Sequence, residues 1–437
     1  AWSGSAMVYH SGMSSKIDEL NWFPSGEGLL AYYTRDGMKQ DQVIIISNDE
    51  GMTWERKHLI SQDIIESNGK IDCRDPSIFP VKKSGEKVTL WGMTLAGQGR
   101  NKVWFLKSTD LVNWSYAGEF NSRAPECVTV SKVYDTNNVA RSLITITSRG
   151  YIVGDFSFDN LTSRIIFKDQ NNVDISTYTM VDLETMDYSE DSYAAQAFYI
   201  DDETSDYYNC SVGVSWFSGV PNDAEANLYA SVRKPWNGGF TIPVKYSLTE
   251  KDGKQVLTQT PITKDNANLE KTTLKDINNQ SISKESASTL LNDVDSHLLE
   301  ISLDIQNTNK ESIEFKVNLS EDEYTAFGWN KEDGYYVDRR NTSDAGISFA
   351  KTYHSLYKTG PVDSENQTFY VLVDNGGIEV FCGNFKYAFY TLTLANPYST
   401  SASLSVSGDV ALNSLKVNKI KSVWKNKDSN VGVIYLD

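Results

Sequence analysis

The chain has 437 residues, with 41 Lys and Arg against 58 Asp and Glu and a formal net charge of −17. That length excludes a single ordinary domain and predicts two or three. An aromatic content of 12% beside 40% hydrophobic residues excludes global disorder, the negative charge argues against a nucleic-acid partner, and no apolar run reaches the roughly 18 residues of a membrane helix.

The chain opens on Ala1-Trp2-Ser3-Gly4-Ser5, with no charged and apolar leader pattern. The expectation is a removed leader or a chain that begins partway through a larger protein. The first 260 or so residues read as short strands separated by turns. Gln42-Val43-Ile44-Ile45-Ile46-Ser47 runs into Asn48-Asp49-Glu50-Gly51-Met52-Thr53-Trp54, and Lys102 to Ser108 runs into Thr109-Asp110-Leu111-Val112-Asn113-Trp114. Each unit is a strand, a Ser-x-Asp turn and a Trp that opens the next strand. The Asp can bond the turn backbone, and the Trp can cover the hairpin base. Two such units predict a β-propeller, one sheet per repeat, with a sandwich of similar hairpins as the alternative.

Residues 264–296 are polar and read as linker and surface loops, with the best helical segment at Lys284 to Asp295. From Ser296 onward alternation returns, in His297 to Ile305 and Ser312 to Val317, and Asn375-Gly376 is placed to turn a hairpin. The expected domains are a propeller over 1–263, a linker over 264–296 and a β-sandwich over 297–437.

Cys73, Cys127, Cys210 and Cys382 form no CxxC pair, so zinc spacing is absent while one or two disulfides have room. Asn-x-Ser/Thr occurs at Asn113, Asn160, Asn209, Asn279, Asn318, Asn341 and Asn366. Seven acceptors predict a secreted glycoprotein, against chance occurrence in an Asn- and Ser-rich chain.

Three acidic settings stand out. Asp75 lies in Asp72-Cys73-Arg74-Asp75-Pro76-Ser77 before an apolar strand, where Arg74 can hold its neighbour ionised or grip sugar hydroxyls. Glu126 lies in Ala124-Pro125-Glu126-Cys127-Val128, again at the mouth of an apolar run, and suits a general acid. Asp187-Tyr188 through Tyr193-Ala194-Ala195-Gln196 mixes acids, Tyr and Gln as a carbohydrate site would. Acids at strand starts and turns are common, so each setting alone is also what solvated surface would give.

Taken in order, these motifs resemble glycoside hydrolase family 32, the β-fructofuranosidases, and within it the fungal invertase and inulinase branch. Trp2-Ser3-Gly4-Ser5 resembles the family's Phe-Ser-Gly-Ser, Arg74-Asp75-Pro76 its Arg-Asp-Pro, and Glu126-Cys127 its Glu-Cys. Asp187-Tyr188 to Gln196, the Trp216 strand, Phe240 to Leu248, Val337-Asp338-Arg339 and Val373 to Phe381 resemble later segments. The resemblance implies an all-β fold, a five-bladed propeller followed by a C-terminal β-sandwich. It implies retaining hydrolysis of terminal fructofuranosyl units of sucrose or fructans, with no cofactor or metal, and dimerisation through the sandwich as in some relatives. Glu126 then resembles the acid/base, and Asp75 the residue gripping fructose hydroxyls with Arg74 beside it. Trp2 and Ser3 resemble the fructose subsite, Asp187 the leaving-group side, and Trp216 a further binding position.

One departure is plain. The family nucleophile lies in a Trp-Met-Asn-Asp-Pro-Asn-Gly motif, and the one Asp-Pro of this chain is Asp75-Pro76. Four blades' worth of sequence is present, so the first blade is expected to be largely missing and the chain inactive alone. An incomplete copy, one piece of a cleaved protein, and a non-catalytic glycan-binding paralogue are the three explanations. A sialidase-like propeller is the other enzyme alternative, because Ser47-x-Asp49-x-Gly51-x-Thr53-Trp54 resembles an Asp-box.

Overall fold

The computed structural model describes residues 1–422 except 86, 148, 218–238, 263–268, 322, 343–353, 375, 394 and 397. Two compact units emerge. One comprises Ala1–Thr185, Ala194–Ser211 and Leu248–Val256, and the other Met186–Tyr193, Val212–Ser247 and Leu257–Asp437.

The first unit begins with three antiparallel meanders. Strands β1 (Gly4–His10), β2 (Glu27–Asp36), β3 (Gln40–Ser47) and β4 (Glu55–Ile60) form the first, with helix α1 (Ser15–Glu19) between β1 and β2. Strands β5 (Arg74–Ser84), β6 (Lys87–Gly97), β7 (Lys102–Ser108) and β8 (Ser115–Asn121) form the second. Strands β9 (Thr129–Tyr134), β10 (Ala140–Ile146), β11 (Gly150–Asp159) and β12 (Arg164–Asp169) form the third, and β13 (Glu184–Thr185) pairs with β11. Four-stranded sheets in sequential order are the blades of a propeller.

The Ser-x-Asp turns close two of these blades as expected. The Ser47 hydroxyl accepts the Gly51 N–H at 2.8 Å, and Asp49 accepts the Thr53 N–H at 2.8 Å. Ser108 accepts the Leu111 N–H at 2.8 Å, and Asp110 accepts the Asn113 N–H at 2.7 Å. Side chains thus satisfy the backbone donors that the turn frees from the ladder. Of the two tryptophans that follow, Trp114 is buried over the hairpin base whereas Trp54 is exposed.

Blade faces press on one another, so the middle strands read as continuous apolar runs rather than alternating ones. Tyr32, Ile44 and Ile46 of the first blade share a core with Met93, Trp104 and Trp114 of the second. Phe79, Phe105 and Phe120 of the second share another with Ile144, Ile152 and Phe167 of the third. Phe79 and Phe156 stack with ring centroids 4.3 Å apart, and Phe105 meets Phe156 edge-on at 5.8 Å.

A fourth sheet runs in the order β14 (Ser192–Ile200), β15 (Cys210–Phe217), β17 (Val244–Lys251) and β18 (Lys254–Pro261), with β16 (Gly239–Phe240) beside β15. Its strands are apportioned between the two units. Four blades are therefore described, the number expected from the sequence.

The sandwich lies in the second unit. One sheet has the order β19 (Lys271–Ile282), β29 (Val410–Ile420), β20 (Leu299–Gln306), β25 (Asn366–Asp374), β26 (Gly377–Cys382), β27 (Tyr387–Leu392). The other has β24 (Leu356–Lys358), β23 (Gly334–Asp338), β22 (Thr325–Asn330), β21 (Ile313–Leu319), β28 (Ser401–Val406). The period-two segments face a common core of Ile301, Leu303, Phe315, Phe327 and Trp329, as half-buried strands must. The β25–β26 hairpin forms with Asp374 opposite Gly377, although Asn375 itself lies outside the described residues.

The expected linker 264–296 needs correction. It carries β19, which pairs along its length with β29, and the short helix α2 (Lys284–Thr289), capped by Ser283. Its polarity misled because β19 is an edge strand with mostly exposed side chains. The division into compact units follows bounds other than the 263 break. Asp187, Asp191 and Ile242 bond residues of the sandwich sheets, which draws their segments into the second unit.

Candidate functional site

In the first unit the opening strand of each blade runs beside the next, and hydroxyls pin them together. Ser5 on β1 accepts the Ile78 N–H of β5 at 3.2 Å, and Ser77 on β5 accepts the Val130 N–H of β9 at 3.1 Å. Within the first blade, Gly4 lets β2 approach β1 closely, because a Cβ there would lie 1.9 Å from the Tyr32 carbonyl oxygen. The entrances of β1, β5 and β9 carry Trp2-Ser3, Arg74-Asp75 and Glu126-Cys127.

Five of the seven residues singled out from sequence meet there. The Arg74 guanidinium pairs with Glu126, lies 3.0 Å from Asp72 and 3.9 Å from Asp75, and donates to Gln98 at 2.9 Å. It also sits over the Trp2 ring, 5.4 Å from the centroid. Ser3 Oγ lies 3.9 Å from Cys127 Sγ. One buried cation thus holds three carboxylates and an aromatic face, which is what a planar fork of five donors allows.

Asp75 is buried, and its carboxylate accepts the Cys127 N–H at 2.8 Å. Burial raises its pKa, opposed by that hydrogen bond and by Arg74. Its backbone is left-handed, with φ 62°, and Cys127 has φ 47°. Two non-glycine residues in this region flank the site, and such strain persists only where the surroundings over-determine it. The Cys127 thiol is pushed up to about 12 by burial and by the charge of Asp75, so it is not a ready nucleophile at neutral pH. Glu126 is more open, with 16% of its side chain exposed, and its carbonyl accepts the Thr147 N–H at 2.9 Å.

Asp187 and Trp216 belong to the other unit. The Asp187 carboxylate accepts the hydroxyls of Ser192 at 2.5 Å and Ser189 at 2.7 Å, and the backbone N–H of Ser189 at 2.8 Å. Burial still pushes its pKa up to about 6. Trp216 is half exposed on β15, opposite Phe240. In the same unit Asp191 and Arg339 form a fully buried ion pair, with Arg339 also donating to the Leu392 carbonyl at 3.1 Å and the Tyr357 hydroxyl at 2.7 Å.

Sequence reasoning missed Asp72 and Gln98 as partners of Arg74, and the interblade roles of Ser5 and Ser77. Ser77 follows Asp75-Pro76 directly, so its motif position was the available signal. Gln98 sits in the β6–β7 turn and carried none. All four cysteines are free, so neither of the disulfides for which the count left room is formed among the described residues. Among the glycosylation acceptors, Asn113, Asn160, Asn279 and Asn341 are exposed and Asn318 is buried.

Sequential four-stranded blades and a two-sheet sandwich define the class as a propeller-and-sandwich protein, with an arginine-bridged carboxylate cluster at the blade entrances. The N-terminal domain model of glycosyl hydrolases family 32 matches residues 1–261, and its C-terminal model matches residues 266–419. The chain belongs to glycosyl hydrolases family 32. It is 26% identical over 419 residues to a fructan beta-fructosidase of Streptococcus mutans, covering 92% of this chain and 27% of that protein. It is 23% identical to a levanbiose-producing levanase of Bacillus subtilis, covering 94% of this chain and 75% of the relative. Among solved structures, an exo-inulinase from Aspergillus awamori superposes with a TM-score of 0.71 at 19% identity, covering 97% of this chain and 84% of that one. A fructofuranosidase from Schwanniomyces occidentalis complexed with fructose gives 0.69 at 17% identity, covering 96% and 84%. The family assignment sets aside the sialidase-like alternative.

Proposed function

We propose that this chain recognises the terminal β-D-fructofuranosyl unit of sucrose or a fructan and contributes the acid/base of its retaining hydrolysis. The observation that carries the reading is Arg74, which bridges Glu126, Asp75 and Asp72 at the entrances of adjacent blades. Glu126 is the more exposed carboxyl and donates the proton to the leaving oxygen. Asp75, held by the Cys127 N–H and backed by Arg74, accepts fructose hydroxyls and opposes the positive charge of the oxocarbenium-like transition state. Trp2 supplies an aromatic ring and Ser3 a hydroxyl beside the same carboxylates.

Double displacement also needs a carboxylate that attacks the anomeric carbon. No second Asp-Pro motif occurs in these 437 residues. The chain alone is therefore expected to bind fructose without releasing it from sucrose. A version extended at its N-terminus with a blade carrying the Trp-Met-Asn-Asp-Pro-Asn-Gly motif is expected to release it, and Glu126→Gln in that version to abolish release. Equal fructose release by both versions would overturn the roles assigned. Binding without release by both would favour a glycan-binding paralogue.

A further inference from the structure

The strained Cys73-Arg74-Asp75 turn is held from the neighbouring blade by a buried polar ladder. Gln40 and Gln42 alternate along β3, so both amides fall on one face, and Thr34 on β2 is the direct cross-strand partner of Gln42. The Thr34 hydroxyl accepts the Asp75 N–H at 3.0 Å and donates to Gln42 Oε1 at 2.6 Å. Gln42 Nε2 donates to the Cys73 carbonyl at 2.8 Å, and Gln40 Oε1 accepts the Cys73 N–H at 2.7 Å. Gln40 N–H in turn donates to Gln62 Oε1 at 3.1 Å, and Gln62 N–H donates to Asp41 at 3.1 Å. Thr34, Gln40, Gln42 and Gln62 are all buried.

Two buried amides and a buried hydroxyl are costly unless each is satisfied. Here Gln42 and Thr34 reach the peptide groups on either side of Arg74, and Gln40 holds the N–H of Cys73 one peptide before them. We infer that Thr34, Gln42 and Gln40 are positioning residues, which act through the backbone to hold Asp75 in its left-handed conformation and Arg74 between the carboxylates. The inference rests on the reading of Asp75 and Arg74 as the sugar-gripping pair, and it adds residues on a different blade that touch no sugar.

The test uses the whole chain labelled with 15N-cysteine, which gives four amide signals. One belongs to Cys73, the donor to Gln40, and one to Cys127, the donor to the Asp75 carboxylate. Thr34→Val removes the hydroxyl at nearly constant shape, Thr34→Ser keeps it, and Ile44→Val loosens the same sheet without touching the ladder. The expected result is that Thr34→Val shifts the Cys127 amide and its titration with Asp75 and raises the Kd for fructose at least tenfold. Thr34→Ser and Ile44→Val are expected to stay within about twofold of the parent. Unchanged Cys127 titration and Kd in Thr34→Val would overturn the inference, as would equal changes in an Ile44→Val protein of matched Tm. If the parent chain binds no fructose, the functional reading fails, and the Cys127 titration alone decides the positioning.

Discussion

Glu379 on β26 is a buried carboxyl whose two oxygens, among the described residues, face one donor, the Ile242 N–H, at 3.0 and 3.1 Å. Burial pushes its pKa from 4.5 up to about 8, and the charges of Asp374 and Asp187 add to the rise. The folded chain therefore keeps this proton to a higher pH than the unfolded chain does. Its stabilising contribution is complete below about pH 4.5 and is lost as pH rises through about 8. At about 1.4 kcal/mol per unit, the whole interval amounts to about 5 kcal/mol. Asp187 acts with the same sign, but its titration is nearly complete above its pKa of about 6. Between about pH 6.5 and 8.5 Glu379 then dominates and accounts for a fall of about 2 kcal/mol in unfolding free energy. Glu379→Gln removes the titration at almost constant shape. Urea unfolding of parent and variant at the two pH values isolates the term, since every other titration is common to both. The parent is expected to lose about 2 kcal/mol more than the variant. An equal loss in both would refute the assignment of a neutral buried Glu379.

Two further outcomes follow from the same unit and from the thiols. Asp191→Asn leaves Arg339 buried without its counter-charge and is expected to cost about 3–5 kcal/mol, read as a lowered Tm. Adding Arg339→Met is expected to recover much of that loss, and a double variant no more stable than the single one would refute the pairing. Cys73, Cys127 and Cys382 are buried with raised pKa values, whereas Cys210 is partly exposed. Native protein is expected to react quickly with a thiol reagent at one cysteine and denatured protein at four; fewer than four in denaturant would mean a disulfide.

The blades were legible wherever chemistry was local. The Ser-x-Asp turns at Ser47 and Ser108 satisfy their own backbone within a few residues, so the pattern announced the hairpins. Alternation in His297 to Ile305 announced a half-buried strand for the same reason, and the strand forms over Leu299–Gln306. The edge strand Lys271–Ile282 was read as linker because its partner, Val410–Ile420, lies more than a hundred residues away. Its pairing is a backbone property that side-chain polarity does not record.

At the site, motif order placed Trp2, Ser3, Arg74, Asp75 and Glu126 as candidates before any geometry was known. Asp72 and Asp75 neighbour Arg74 in the chain, whereas Glu126 joins them only when β9 lies beside β5, so its place at the guanidinium was decided by tertiary structure. The Gln40-Asp41-Gln42 segment is uniformly polar. Folding turns it into a buried ladder, because its amides can be satisfied there by peptide groups of the next blade. Local hydrogen bonding and periodicity are written residue by residue, and the sequence by itself determined the alternating strands and the Ser-x-Asp turns. The choice of long-range partner depends on which donors and acceptors burial leaves without water, and the three-dimensional packing alone decided it.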